Sequence, residues 1–210
     1  MKEIEFIKKR LAAQLPGLKA HQSMFPSSTR PKIDEQQIKK FRKSAVALIL
    51  FYENHTLKSI LTKRNVYEGV HSDQISLPGG KFEKDKDHSL IDTALRESNE
   101  EIGVDTDHLI FLGKLSTVSI PVSRFLVHPH VFFFPAEDKM KLEAHPYEVK
   151  EIITFTINTL LNDKNKARKP VKTSTGRLDV PCFVINEHTV WGATSLILNE
   201  FKEILKPIEE

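Results

Sequence analysis

The sequence predicts an α+β fold in which a mixed sheet is layered with a few helices. Its 210 residues are enough for one domain with a core of its own. Hydrophobic residues make up 40% of the chain and charged residues 28%, a balance typical of folded globular proteins rather than disordered ones. Strand-like apolar runs outnumber helical ones, and that mixture favours a layered, mixed-sheet architecture.

The N-terminal part is predicted to be a short helix followed by an extended arm, together spanning residues 1–40. Residues 3–15 carry apolar side chains at helical spacing, and Pro16 ends that pattern. Several prolines and a Ser-Ser-Thr cluster in residues 16–34 favour an extended segment lying over the domain surface. The main domain is then expected to span residues 41–210.

The remaining elements follow from apolar runs bounded by turn residues and from helical periodicity. The basic stretch Lys164–Lys172 is expected to be exposed and irregular. Predicted strands are Ser44–Tyr52, Leu57–Arg64, Gln74–Leu77, Leu109–Leu115, Leu126–Phe134, a segment around Glu151–Ile157, and Arg177–Ile185; predicted helices are Ser89–Ile102, Asn158–Leu161 and Ala193–Leu205.

Composition excludes several classes of protein. Thirty-one Lys and Arg against 28 Asp and Glu leave a net charge of +3, which rules out a histone-like polycation. The single cysteine, Cys182, excludes an internal disulfide and fits a reducing compartment. The longest apolar runs are too short to span a bilayer, and Met1–Arg10 is charged throughout. We expect a cytoplasmic protein, monomeric or homodimeric, without a nucleic-acid or membrane partner.

One predicted helix carries a set of carboxylates. Glu97, Glu100 and Glu101 fall on one face of the helix at Ser89–Ile102. Carboxylates so close repel one another, and a hard divalent cation such as Mg²⁺ or Mn²⁺ prefers oxygen ligands of this kind. Arg96 lies four residues before Glu100 and can orient or partly neutralise it. A solvated acidic helix face is the alternative interpretation.

A glycine pair precedes this helix and makes the metal interpretation stronger. Gly79 and Gly80 have no Cβ, so the backbone there can approach a helix or a ligand phosphate closely. A glycine-rich loop, a carboxylate-rich helix and a nearby strand together favour a metal–diphosphate site.

Residues 75–103 resemble the Nudix box, G-x5-E-x7-R-E-U-x-E-E-x-G-U, where U is a bulky aliphatic residue. Ser98 departs from the first U position, and His88 stands where the box has its first glutamate. Gly80 lies 16 residues before Arg96 rather than 14, so a two-residue insertion in the loop would explain both differences. Glu83, Asp85 and Asp87 are then the alternatives for the missing carboxylate. The matching positions are Arg96, Glu97, Glu100, Glu101, Gly103 and Val104.

The flanking segment is similar to the additional motif of Nudix hydrolases that act on coenzyme A, L-L-T-x-R-[SA]-x3-R-x3-G-x3-F-P-G-G. The segments at 15–17 and 190–201 also resemble members of that subfamily. The departures are Asn65, Gly69 in place of the central arginine, and Asp73. The matching positions are Ile60, Leu61, Thr62 and Arg64 at its start and Leu77, Pro78, Gly79 and Gly80 at its end.

The resemblance implies an α/β/α sandwich around a mixed β-sheet, with a Nudix hydrolase domain in residues 41–210. It implies hydrolysis of a diphosphate bond in a small nucleoside diphosphate derivative. For coenzyme A, the products would be 3′,5′-ADP and 4′-phosphopantetheine. ADP-ribose, a dinucleotide such as NADH, or a damaged nucleoside triphosphate are alternative substrates, and a nucleotide-sensing domain without catalysis is a further alternative.

The resemblance also implies roles for single residues. Glu97, Glu100 and Glu101 are expected to hold Mg²⁺ or Mn²⁺, and Arg96 to hold a carboxylate in place. Glu148, Glu151 and His71 are the alternatives for the general base, and Glu151 is counted with the catalytic residues. Substrate contacts are expected from Lys63, Arg64, Gly79, Gly80 and Lys81.

Overall fold

The computed structural model of the chain describes residues 2–26, 35–65, 74–135, 140–173 and 176–206. Within these ranges a large mixed sheet, a smaller antiparallel sheet and the helices form the fold. The helices are α1 (Lys2–Ala12), α2 (Leu18–Gln22), α3 (Glu35–Ile38), α4 (Leu90–Ile102), α5 (Ile157–Leu161) and α6 (Gly192–Leu205). The strands are β1 (Arg42–Glu53), β2 (Thr56–Arg64), β3 (Ile75–Ser76), β4 (Gly79–Lys81), β5 (Ile110–Lys114), β6 (Val118–Ile120), β7 (Phe125–Phe134), β8 (Val149–Thr156), β9 (Lys166–Thr173), β10 (Gly176–Ile185) and β11 (His188–Val190).

The centre of the large sheet is a splayed hairpin. β1 and β2 pair only near their turn, from Leu50 opposite Ser59 to Glu53 opposite Thr56. Beyond that point β4 pairs with β1 and β3 pairs with β2, so the short β3–β4 segment enters between the two strands. β7 runs parallel to β1 on its other side, whereas β8 pairs antiparallel with β2. The glycine pair is thereby built into the sheet rather than left in a surface loop.

Helices cover both faces of this sheet. On one face α4 packs on alternate residues of β1, including Ala47 and Ile49, through Ala94 and Ile102. On the other face the core is formed by apolar residues of α1, α5, α6 and the smaller β9–β11 sheet. The predicted layered α/β architecture around a mixed sheet is therefore confirmed. Across the described ranges, no helix is long and apolar enough to span a membrane.

The helix that carries the carboxylates begins and ends as its sequence predicts. Ser89 is the N-cap, and its Oγ accepts a hydrogen bond of 3.2 Å from the Asp92 N–H. Gly103 ends the helix in the left-handed region at φ 67°, with its N–H donated to the Asn99 carbonyl. These two caps fix where α4 begins and ends.

Residues 2–26 of the N-terminal segment are more helical and more buried than an extended arm. Residues 18–22, expected to be extended, form α2, whose His21 is buried against α6. Glu200 of α6 is fully buried, and it accepts hydrogen bonds from the Gly17 N–H (3.0 Å) and the Ser116 hydroxyl (2.6 Å). The boundary proposed at residue 40 stays a prediction, but α1 and α2 both contribute to the main core.

The basic stretch Lys164–Lys172 is not irregular. Most of it forms β9, which pairs antiparallel with β10 from Lys166 opposite Phe183 to Thr173 opposite Gly176. Because β9 is the edge strand of a small sheet, its Lys and Arg side chains replace the apolar alternation by which a strand is recognised.

Candidate active site

A buried ion pair fixes the arginine of the α4 carboxylate face. The Arg96 Nε lies 2.8 Å from Asp87 Oδ1, and its Nη2 lies 3.1 Å from Oδ2. Asp87 is only 4% exposed, and its Oδ2 also accepts hydrogen bonds from the Glu83 N–H and the Thr93 hydroxyl, both at 2.9 Å. The hydrogen bonds from Arg96 hold the pKa of Asp87 well below its usual range. Of the three alternatives for the missing box carboxylate, Asp87 is the one bonded to Arg96.

The rest of the Arg96 guanidinium faces the carboxylates. Its Nη1 lies 2.9 Å from Glu97 Oε1 and 2.9 Å from Glu100 Oε2. Its Nη2 also donates to the Lys81 carbonyl at 3.3 Å, which links α4 to the end of β4. One arginine therefore connects the loop before α4, the strand beside it and two carboxylates of the helix.

Glu101 is the buried carboxylate of the set. It is 1% exposed, and its Oε2 accepts a hydrogen bond of 3.1 Å from the Gly79 N–H. The Arg64 Nη2 lies 3.7 Å from its Oε1. Burial raises the pKa of Glu101 to about 7, although Arg64 and the Gly79 N–H act in the opposite direction.

The two glycines of β4 are required by close contacts on either side. At Gly79, φ is +149° and a Cβ would lie 2.3 Å from the Ala45 carbonyl oxygen. At Gly80, a Cβ would lie 2.3 Å from the carboxyl carbon of Glu97. β4 therefore fits between β1 and α4 only without side chains there, in agreement with the close backbone approach that the glycine pair predicts.

The loop that leads into β8 brings a further carboxylate near the helix. The Glu143 N–H donates to the Ile102 carbonyl and the His145 N–H to the Glu101 carbonyl, both at 2.9 Å. Burial raises the pKa of Glu97 against the opposing effect of Arg96, and the charge of Glu148 on this loop raises it further. The same charge contributes to the raised pKa of Glu101. Glu148 thus belongs electrostatically to the α4 carboxylate face.

The carboxylate oxygens of α4 suit a hard cation, but those of Glu97 and Glu100 are bound to Arg96. In the part of the chain that the structure describes, no three His, Cys, Asp or Glu side chains are grouped closely enough to hold a metal ion as they stand. The reason is visible at Arg96 Nη1, which occupies the space between Glu97 and Glu100. The Glu100 side chain is 49% exposed and can turn away from Arg96. Carboxylate oxygens are the ligands that Mg²⁺ and Mn²⁺ prefer, so the residues present fit such an ion chemically.

The sequence profile of the NUDIX domain matches residues 41–174, well over half of the chain. The chain belongs to the Nudix family. Members of this family hydrolyse nucleoside diphosphate derivatives and generally use divalent metal ions. The Nudix box on α4 therefore coincides with the carboxylate face described above.

Three curated relatives show how far this likeness extends. Nudix hydrolase 22, chloroplastic, from Arabidopsis thaliana is 31% identical over 186 residues, which cover 84% of this chain and 56% of that protein. An uncharacterized Nudix hydrolase NudL from Photorhabdus laumondii is 28% identical over 144 residues, covering 69% of this chain and 75% of that protein. The human mitochondrial coenzyme A diphosphatase NUDT8 is 29% identical over 140 residues, covering 66% and 58%. The chain therefore spans little more than half the length of the plant and human proteins.

Two of the predicted Nudix site residues lie away from the carboxylate face. Arg64 reaches Glu101, so its strand neighbour Lys63 points to the opposite face of the sheet. Glu151 stands opposite Lys63 in the β2–β8 pairing, and its Oε1 lies 3.4 Å from the His188 Nε2 of β11. The structure thus does not bring Lys63 and Glu151 to the other predicted site residues. Residues paired across antiparallel strands share a face, so Glu151 lies on the same face of the sheet as Lys63.

The other predicted residues of the Nudix site fall into two groups. The first group lies beside α4 and consists of Arg64, Gly79, Gly80 and the Lys81 backbone. The Lys81 side chain itself is exposed. Gly69, His71 and Asp73 lie outside the described residues. Sequence reasoning missed the role of Asn65, whose Nδ2 donates to the Pro146 carbonyl at 3.0 Å and ties the end of β2 to the Glu148 loop.

Proposed function

We propose that this Nudix protein is a metal-dependent hydrolase of the diphosphate bond of coenzyme A and its derivatives. The products are 3′,5′-ADP and 4′-phosphopantetheine, or its acylated form. The observation that carries the proposal is the α4 carboxylate face packed against Gly79 and Gly80, beside Arg64. The coenzyme A motif around Arg64 and the likeness to a named coenzyme A diphosphatase support this substrate class.

Glu97, Glu100 and Glu101 would hold Mg²⁺ or Mn²⁺. When bound, such an ion neutralises the diphosphate and acidifies a water molecule. Arg96 stays on Asp87 and on the Lys81 carbonyl while Glu97 and Glu100 leave it, so its position does not depend on the ligand. Arg96 is therefore a positioning residue in this proposal, and Asp87 holds it.

Arg64 is the proposed phosphate contact of the chain. Its side chain is 31% exposed beside Glu101. Its Nε is buried and has no hydrogen-bond partner among the residues described. Because part of the side chain is exposed, the Arg64 guanidinium can bind a phosphate oxygen through charge-assisted hydrogen bonds.

Glu148 is the proposed general base. A carboxylate oxygen of Glu148 takes a proton from the attacking water as that water bonds to phosphorus and the P–O bond to the leaving phosphate breaks. Its charge raises the pKa of both Glu97 and Glu101, which supports a place for Glu148 beside the reacting atoms. Glu151, the other carboxylate predicted for this role, is paired with His188 instead.

The test is a hydrolysis panel with coenzyme A, acetyl-coenzyme A, ADP-ribose and NADH, each with Mg²⁺ and with Mn²⁺. We expect coenzyme A and its ester to turn over fastest, with 3′,5′-ADP identified among the products by chromatography. Glu100→Gln should abolish turnover, whereas Glu5→Gln, an exposed glutamate on α1, should not change it.

Other outcomes of the panel would replace the proposal. Faster turnover of ADP-ribose or NADH would assign the chain to a different Nudix substrate and identify Gly69, in place of the motif arginine, as a decisive departure. Nucleotide binding without cleavage of any substrate would favour a sensor.

A further inference from the structure

Tyr147 is the most exposed large hydrophobic side chain of the described part of the chain, at 85% of its surface. It lies one residue before Glu148, on the loop that approaches the last turn of α4. A tyrosine left almost wholly in solvent contributes little to folding and is accessible to a ligand.

The loop around Tyr147 is held from both sides. His145 and Glu143 donate their N–H groups to the carbonyls of the last α4 turn at 2.9 Å. On the other side, Asn65 donates its side-chain amide to the Pro146 carbonyl and its N–H to the Glu148 carbonyl, both at 3.0 Å. The loop is therefore a fixed support, and the Tyr147 ring projects from it at little cost in backbone order.

The ring also has a neighbour that orients it. The His145 and Tyr147 rings lie 6.0 Å apart at an interplanar angle of 59°. The His145 Nδ1 is buried and, among the residues described, has no hydrogen-bond partner. The His145–Tyr147 ring pair thus lies on the loop bonded to the last turn of α4, next to Glu148, whose charge reaches Glu97 and Glu101.

We infer that Tyr147 is a stacking platform for the nucleobase of the substrate. The inference rests on the proposed function, because a nucleoside diphosphate derivative places its base beside the diphosphate site. An exposed flat ring can stack on the π-face of any base, and removing such a ring measurably weakens nucleotide binding. The other partner of similar chemistry, an apolar acyl or pantetheine chain, would need contact area but not aromaticity.

The experiment compares Tyr147→Phe, Tyr147→Leu and Tyr147→Ala with a control, Phe6→Ala, which removes an exposed aromatic ring on α1. We expect Tyr147→Ala to raise the KM for coenzyme A about 5- to 150-fold with kcat within about twofold. Tyr147→Phe should behave like the unchanged chain, and Tyr147→Leu should resemble Tyr147→Ala. Phe6→Ala should change neither constant.

Calorimetric titration of ADP into the full chain tests the same point without turnover. Tyr147→Ala should weaken ADP binding by the same factor by which it raises KM. Full activity and ADP affinity in Tyr147→Leu would overturn stacking and indicate an apolar contact instead. Unchanged constants in Tyr147→Ala, with coenzyme A still hydrolysed, would overturn this inference and leave the proposed function standing. Absence of both hydrolysis and ADP binding in the unchanged chain would overturn both.

Discussion

Asp87 binds Arg96 through two hydrogen bonds of 2.8 and 3.1 Å, and of the three alternatives for the missing box carboxylate it is the one that contacts this arginine. The carboxylate lies one residue before His88, which occupies the box position, and its side chain is one methylene shorter than a glutamate. Two further contacts fix the carboxylate, because the Glu83 N–H and the Thr93 hydroxyl donate hydrogen bonds of 2.9 Å to its Oδ2. A carboxylate–arginine contact is therefore present, although the glutamate of the box pattern is not.

Removing the charge of Asp87 should destabilise the fold. Asp87→Asn leaves Arg96 without its buried counter-ion, and breaking a buried pair by removing one partner costs about 3 to 5 kcal/mol. The free energy of unfolding, measured by urea denaturation, should fall by about that amount. Asp85→Asn is the matched control, since Asp85 is exposed, and it should change stability by less than about 0.5 kcal/mol. Equal effects of the two changes would contradict this assignment.

The stabilisation from Asp87 should also depend on pH. Arg96 lowers the pKa of folded Asp87 below the value of about 3.9 that an unfolded aspartate has. Between those two values the unfolded chain binds more protons than the folded chain, so acid favours unfolding. The stability difference between the unchanged chain and Asp87→Asn should be constant above about pH 5 and narrow progressively below about pH 4. Urea denaturation at a series of pH values measures it, and a difference as large at pH 3 as at pH 7 would show that the Asp87 charge is not its source.

The two glycines of β4 should respond differently to alanine. A Cβ at Gly79 meets the Ala45 backbone, which cannot yield, and the φ of +149° is unfavourable for alanine. Gly79→Ala should therefore cost about 3 kcal/mol or more of stability. A Cβ at Gly80 meets the end of the Glu97 side chain, which can move. Gly80→Ala should cost less than about 1 kcal/mol yet lower kcat about 100-fold, because Glu97 is displaced.

Urea denaturation and initial rates on the same preparations separate these two effects. Gly79→Ala should show the larger loss of stability, whereas Gly80→Ala should show the larger loss of kcat per folded molecule. Comparable losses of stability in both variants would show that Glu97 cannot move aside.

The sequence predicts what depends on local spacing. α4 is amphipathic, capped by Ser89 and ended by Gly103, so the placement of Glu97, Glu100 and Glu101 on one face follows from helix geometry. The glycine pair likewise predicts a close backbone approach to a helix or a ligand phosphate, and in the structure Gly80 approaches Glu97 of α4.

The sequence does not show in which register strands that are distant along the chain pair with one another. Arg64 and Lys63 point to opposite faces of β2, and a shift of one residue would exchange them. In the β2–β8 pairing Glu151 stands opposite Lys63, so it shares the face of Lys63 and is directed to His188. Which of Glu148 and Glu151 meets the site is decided by that pairing, which involves residues more than 80 positions apart.

The choice between these two glutamates is open to a direct kinetic test. Glu148→Gln keeps the size of the side chain but cannot accept a proton, so kcat should fall about 100- to 10,000-fold, as for loss of a general base. Glu151→Gln changes a side chain whose partner is His188, and kcat should stay within about twofold. Because Glu148 is exposed, its replacement should leave the melting temperature unchanged, which separates a catalytic from a structural effect. The reverse order of the two variants would return the base to Glu151 and require β8 to pair in a different register when substrate binds.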